Sequence, residues 1–258
     1  MEHSFIDRYS DLNSFIHKLD PRAKIITTLV FVLAVVITPV THWQAFVCYL
    51  VLVVALLALS EVPPTYILKR SLVIVPFVLT IAVFNIFRAG EVVAGFHLWQ
   101  WQLAVTEEGL LVFCNVLVKA VLSMLMLILL SSTTNFTTLM KGLEQLRMPR
   151  VMVMILSFAY RYIFVLTDEV MRMRRARDSR NVGGSNLRQI RTVGNMIGTL
   201  FIRSYERGER VYAAMVSRGY DGQIRTLDSL NFGWRDAWFV FVVIPILVVV
   251  VLVNLIIL

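Results

Sequence analysis

Charge is scarce in this chain. Asp, Glu, Lys and Arg make up 16% of its 258 residues, while 58% are apolar and the mean hydropathy is +0.73. An ordinary soluble domain carries about a quarter charged residues, and a soluble core of this size needs no such long apolar runs. Cysteine is nearly absent. Cys48 and Cys114 lie inside apolar runs, which excludes a disulfide framework and reads as packing. The four histidines, His3, His17, His42 and His97, form no ligand-spaced pair and read as solvated side chains rather than metal ligands. No Gly-x-x-x-x-Gly-Lys-Ser/Thr loop is present to cradle a nucleotide phosphate, and no His-Glu-x-x-His. No internal repeat or low-complexity tract is apparent. A secretory leader is not expected, because residues 1–20 are polar and of mixed charge with no small-residue cleavage site after them.

What is present is a series of apolar runs. A membrane-spanning helix needs about 20 mostly apolar residues. Runs at 25–40, 43–59, 66–87, 109–130 and 237–258 meet this with some latitude, and predict an all-α membrane protein of about five transmembrane helices. Pro76 marks a kink in the third. The chain divides into an N-terminal segment 1–24, four spans over 25–131, a helical insertion over 132–233 and a final span over 234–258. Lys and Arg flank alternate connections: Arg8, Lys18, Arg22 and Lys24 before the first span, Lys69 and Arg70 after the second, and Lys141, Arg147 and Arg150 after the fourth. The positive-inside preference then places the N-terminus and the insertion in the cytoplasm, and the C-terminus outside. Loop 88–108, with one arginine, lies outside, where Trp99 and Trp101 suit an interfacial anchor.

The insertion is too long for a connector and reads as three helices, 136–146, 151–180 and 187–217, with Asn181-Val182-Gly183-Gly184-Ser185 as a break. The second is apolar in its first half and charged in its second, so it starts at the membrane boundary and ends in water. The third carries Leu187, Ile190, Val193, Ile197, Leu200, Phe201 and Val211 at helical spacing, with Glu206 four before Arg210 and Gly219 placed as a left-handed cap. Between Glu169 and Arg225 stand twelve arginines, no lysine and five acids, nearly the whole of the chain's +8. Anionic lipid, nucleic acid and an acidic protein surface are the usual partners of such a segment.

Two sites in it share a pattern: Ala176-Arg177-Asp178 and Ser217-Arg218-Gly219-Tyr220-Asp221-Gly222. Each sets an arginine beside a small residue at the end of a long helix. The small residue lets another surface approach, and the guanidinium can then form forked hydrogen bonds. A solvated basic helix end complementing the dipole explains one such site. Two of them favour docking on two equivalent grooves. Near the N-terminus, His17-Lys18-Leu19-Asp20-Pro21-Arg22-Ala23-Lys24 has a local explanation: Asp20 caps a helix that Pro21 begins, and Arg22 and Lys24 serve the positive-inside preference. Asn115 and Lys119 lie one turn apart in the fourth span, either functional or pairing with another helix.

These segments resemble the transmembrane T subunit of energy-coupling factor (ECF) transporters, and most closely its cobalt-type CbiQ members. The likeness rests on residues 17–24, the Ala176-Arg177 site, the run from Ser204-Tyr205-Glu206-Arg207 through Ser217-Arg218-Gly219-Tyr220-Asp221-Gly222, and the opening Ile6-Asp7-Arg8-Tyr9-Ser10. The family pattern at both helix ends is Ala-Arg-Gly; here the first reads Ala-Arg-Asp and the second Ser-Arg-Gly. The resemblance implies a non-catalytic subunit that binds no cofactor itself. Two CbiO-like ATPase subunits would dock on Ala176, Arg177, Asp178, Ser217, Arg218 and Gly219, supported by Asp20, Pro21, Arg22, Glu206 and Arg210. The ATP is theirs. A CbiM-like substrate-binding membrane subunit, and in some systems a small accessory membrane subunit, would complete a metal importer, for cobalt or alternatively nickel. Membrane lipid is the remaining partner.

Rival classes find less support. A membrane enzyme needs His, Asp or Glu clustered at membrane depth, and a stand-alone carrier needs a polar pathway; Asn85, Asn115 and Lys119 are few for either. Arginine without interleaved aromatics argues against nucleic acid.

Overall fold

The computed structural model describes residues 12, 14–39, 42–86, 92–98, 101–180, 186–222 and 232–256. Residues 6–10, the 181–185 break and Trp99 lie outside the described residues.

The chain is built from helices in the order α1 Pro21–Ile37, α2 Trp43–Leu59, α3 Pro64–Ile86, α4 Glu107–Thr133, α5 Phe136–Gln145, α6 Arg150–Arg180, α7 Asn186–Val216 and α8 Trp234–Ile256. The all-α membrane architecture expected from the apolar runs is what the fold shows. The loop before α4 holds more than its composition led us to expect: β1 Val92–Leu98 and β2 Trp101–Thr106 pair antiparallel, with Leu98 opposite Trp101 and an irregularity between Val92 and Ala94. Among the described residues α4, α6 and α8 are long and apolar enough to cross a membrane, and α2 is a shorter apolar helix. α3 continues through Pro76.

Two compact units emerge. One comprises residues 143–229; the other comprises the chain up to Gly142 together with 230–258. In the second unit, α1, α2, α4 and α8 share a core of Phe31, Val35, Tyr49, Val53, Leu122 and Leu247. The Phe31 and Tyr49 rings meet edge to face at 5.7 Å, and Thr38 Oγ1 lies 3.1 Å from the Tyr49 hydroxyl while donating to Ala34 O. Lipid tails are as apolar as leucine, so close packing and internal hydrogen bonds, rather than exclusion of water, hold such a bundle. The outward faces of this unit, α3 included, are correspondingly apolar, with Leu68, Leu72, Phe77 and Phe241 all about 70% exposed or more. Cys48 and Cys114 are free thiols on exposed faces of their helices. The expected packing role is therefore not theirs.

Candidate functional site

The arginine at the end of α6 is already occupied. Arg177 Nε and Nη2 both donate to Asp178 Oδ1, at 3.0 and 2.7 Å, and Arg174 Nε approaches the other oxygen at 3.9 Å. Ala176 and Asp178 are exposed. Surface ion pairs of this kind contribute about 0–1 kcal/mol, so a better-placed acceptor can exchange with Asp178.

The end of α7 is fixed by its backbone. Tyr220 N donates to Met215 O at 3.1 Å and Gly219 N to Val216 O at 3.0 Å, the paired bonds of a Schellman cap. Gly219 takes the left-handed position with φ +79°, as its place after Arg218 predicted. Arg218 is the last residue before the reversal and is exposed with Ser217 and Gly219.

Within residues 143–229 side-chain bonds join α6 to α7 and to the turn that follows it. Glu169 accepts from Arg203 Nη1 of α7 at 2.7 Å and from Arg172 of its own helix at 3.0 Å. The Tyr220 hydroxyl donates to Met154 Sδ. The Arg203 hydrogen bond, outweighing some desolvation and joined by the Arg172 and Arg207 charges, holds the Glu169 carboxyl below its usual range. Glu206 pairs with Arg210 at 3.7 Å. The bonds Met154–Tyr220 and Glu169–Arg203 run in opposite chain directions, so the helices form an antiparallel pair. The Arg218 end therefore lies at the Met154 end of α6, and about 35 Å of helix axis separates Met154 from Arg177. The two arginine-bearing ends stand at opposite extremes of the pair.

Asp20, Pro21 and Arg22 fall in the other unit, not with the arginine ends. Asp20 caps α1 as predicted, its Oδ1 accepting from Arg22 N at 2.9 Å. Asp236 of α8 was not anticipated. Its Oδ1 accepts from Asp20 N at 2.7 Å and its Oδ2 from Gly233 N at 2.8 Å. Lys24, which serves the positive-inside preference, is only 5% exposed. Because α1 begins at Pro21, its second turn faces the bundle, and Lys24 Nζ donates to Thr133 O at 2.9 Å and His17 O at 3.2 Å, with the Asp236 and Asp20 charges close by. Pro21 itself receives α5: a Cβ on Gly142 would meet Ile25 Cδ1 at 3.1 Å and Pro21 Cβ at 3.2 Å. An acid in the first turn of a helix suits its dipole, and that was the one sign in the sequence that could have singled out Asp236.

Lys119 pairs with another helix. Its Nζ donates to Val36 O at 2.9 Å, one of the last carbonyls of α1, which lack partners within their own helix. No group of three or more His, Cys, Asp or Glu side chains suited to a metal ion occurs among the described residues.

The CbiQ family profile, described as cobalt transport protein, matches residues 12–228. The chain is 31% identical to the energy-coupling factor transporter transmembrane protein EcfT of Brevibacillus brevis over 95% of this chain and 96% of that protein. It is 31% identical to EcfT of Clostridium kluyveri over 90% of this chain and 89% of that protein. An uncharacterized protein of Methanocaldococcus jannaschii is 29% identical over 92% of this chain and 82% of its own length.

Proposed function

The chain belongs to the CbiQ family of cobalt transport proteins, and on that premise we propose that it is the energy-coupling T subunit of an ECF-type importer for a transition-metal ion, cobalt in the first instance. In this account two ATP-binding subunits hydrolyse ATP, a separate membrane subunit captures the metal, and this chain carries movement between them without holding a cofactor. The N-terminus and residues 143–229 face the cytoplasm and the C-terminus faces out. Cobalt rests on the family's description, and a nickel importer would use the same arrangement.

The observation that carries this account is the placement of Arg177 and Arg218 at opposite extremes of one antiparallel helix pair. A single surface would be served by neighbouring arginines. Two separate grooves, one on each of two motors, call for arginines held apart on a stiff rod. The exposed apolar stripe of α7, with Ile190, Ile197 and Phe201 all more than 60% exposed, supports a protein partner, since contiguous apolar surface outside the bilayer marks an interaction site.

The test is copurification. Co-expressed with its ATPase subunits, the unaltered chain is expected to retain them, and the double variant Arg177→Glu/Arg218→Glu to lose them along with metal uptake. Retention of both by the variant would refute the assignment.

A further inference from the structure

We propose that Lys24 and Asp236 are positioning residues, a buried staple that ties both ends of the helical insertion to the start of α1, so that movement entering through residues 143–229 reaches the membrane bundle undiminished. This rests on the coupling account above.

The geometry points there because of which atoms the staple touches. The insertion, as the sequence bounds it, follows α4, whose final residue is Thr133, and ends at Gly233, immediately before α8; both junctions lie inside the unit that holds the bundle. Lys24 bonds the Thr133 carbonyl, and Asp236 bonds the Gly233 and Asp20 amides. Each charge matches the helix terminus it meets: an ammonium at the C-terminal end of α4, a carboxylate at the N-terminal ends of α8 and α1. α5, the first helix of the insertion, rests on the same residues through Gly142 against Pro21 and Ile25. The exit, the return and the first helix of the insertion thus converge on residues 20–25. Asp20, Lys24 and Asp236 are each about 5% exposed, so shifting either end of the insertion uncovers a buried charge. Each bonds backbone atoms and lies within the other's field, so removing one buried charge is costly, whereas removing both together is often tolerated. A purely adhesive role needs no charge here, since apolar side chains could fill the space.

The experiment compares Lys24→Met, Asp236→Asn and the double variant in the full complex reconstituted in liposomes, reading ATP hydrolysis and cobalt(II) and nickel(II) uptake at equal yield. The staple predicts that the double variant assembles and hydrolyses ATP like the unaltered complex while uptake falls about tenfold, since small misplacements far from a working site can cost that much or more. A second measurement uses the chain alone. Spin labels at Thr137→Cys and Phe232→Cys, with Cys48 and Cys114 replaced by serine, are expected to give a narrow distance distribution that broadens in both single variants and in the double variant. Unchanged uptake per ATP, an unchanged distribution, or loss of folded protein in the double variant would each overturn the proposal, the last by assigning the pair to folding. A chain that captures no ATPase defeats the coupling account instead, and the label distances then still decide the staple.

Discussion

Two residues with left-handed backbone make opposite predictions. Gly219, at φ +79°, closes the cap that sets Arg218 at the end of α7. Gly219→Ala should cost about 1 kcal/mol and appear as faster amide exchange over the last turn of α7. Arg147 ends α5 with the same pair of bonds, Met148 N to Leu143 O and Arg147 N to Glu144 O, but holds φ +69° with a full side chain. Arg147→Gly should therefore stabilise the α5 terminus by about 1 kcal/mol, measurable as slower exchange there. The first position was legible because glycine after a long helix announces its conformation. The second was not, because nothing about arginine announces φ > 0. The burial of Lys24 was not legible either. A charge preceding an apolar run suggests water, and only the start of α1 at Pro21, four residues before that run, turns it inward. Asp178 carries a prediction of its own: since it holds both Arg177 donors, Asp178→Ala should free them and tighten retention of the ATPase subunits in a salt-graded pull-down.

At the level of elements, helix bounds followed the residues closely because apolar runs stop at strong punctuation. The 43–59 run is the α2 found, and the charged half of α6 ends at Arg180 beside the glycine-rich break. The β1–β2 pair was not predicted, because the charge of loop 88–108 speaks to sidedness alone. The valines and aromatics of residues 92–106, with little charge between them, carry the strand preference instead. The joint between α6 and α7 was invisible in advance, since it pairs Glu169 with Arg203, 34 positions away. It also makes a pH prediction. The Glu169 carboxyl is held below its ordinary value, so its pairing contributes fully above about pH 4.3, the unfolded value, and is lost as pH falls through the lower folded one. Amide exchange in α7 around Arg203 should rise across that window. Glu169→Gln should show the faster exchange at neutral pH and lose the dependence.

For the whole molecule the testable matter is sidedness. If the insertion faces the cytoplasm, single cysteines at Ser179→Cys and Ser217→Cys, with Cys48 and Cys114 replaced, should react with an impermeant maleimide in inverted vesicles and not in intact cells. Labelling from outside would remove the coupling account entirely.

If the coupling account holds, the antiparallel pair has a further consequence for the motors. The joint of Glu169 and Arg203 lies off centre, about 12 Å of helix axis from Arg177 and about 22 Å from Arg218, yet two arginines held apart at opposite ends suit two separate motors. The handles are nonetheless dissimilar: one guanidinium is already engaged by its own neighbour, the other stands on a backbone lock with a glycine beyond it. Two copies of one motor would thus be gripped with different firmness, and a symmetric engine would deliver its stroke through an asymmetric gearbox.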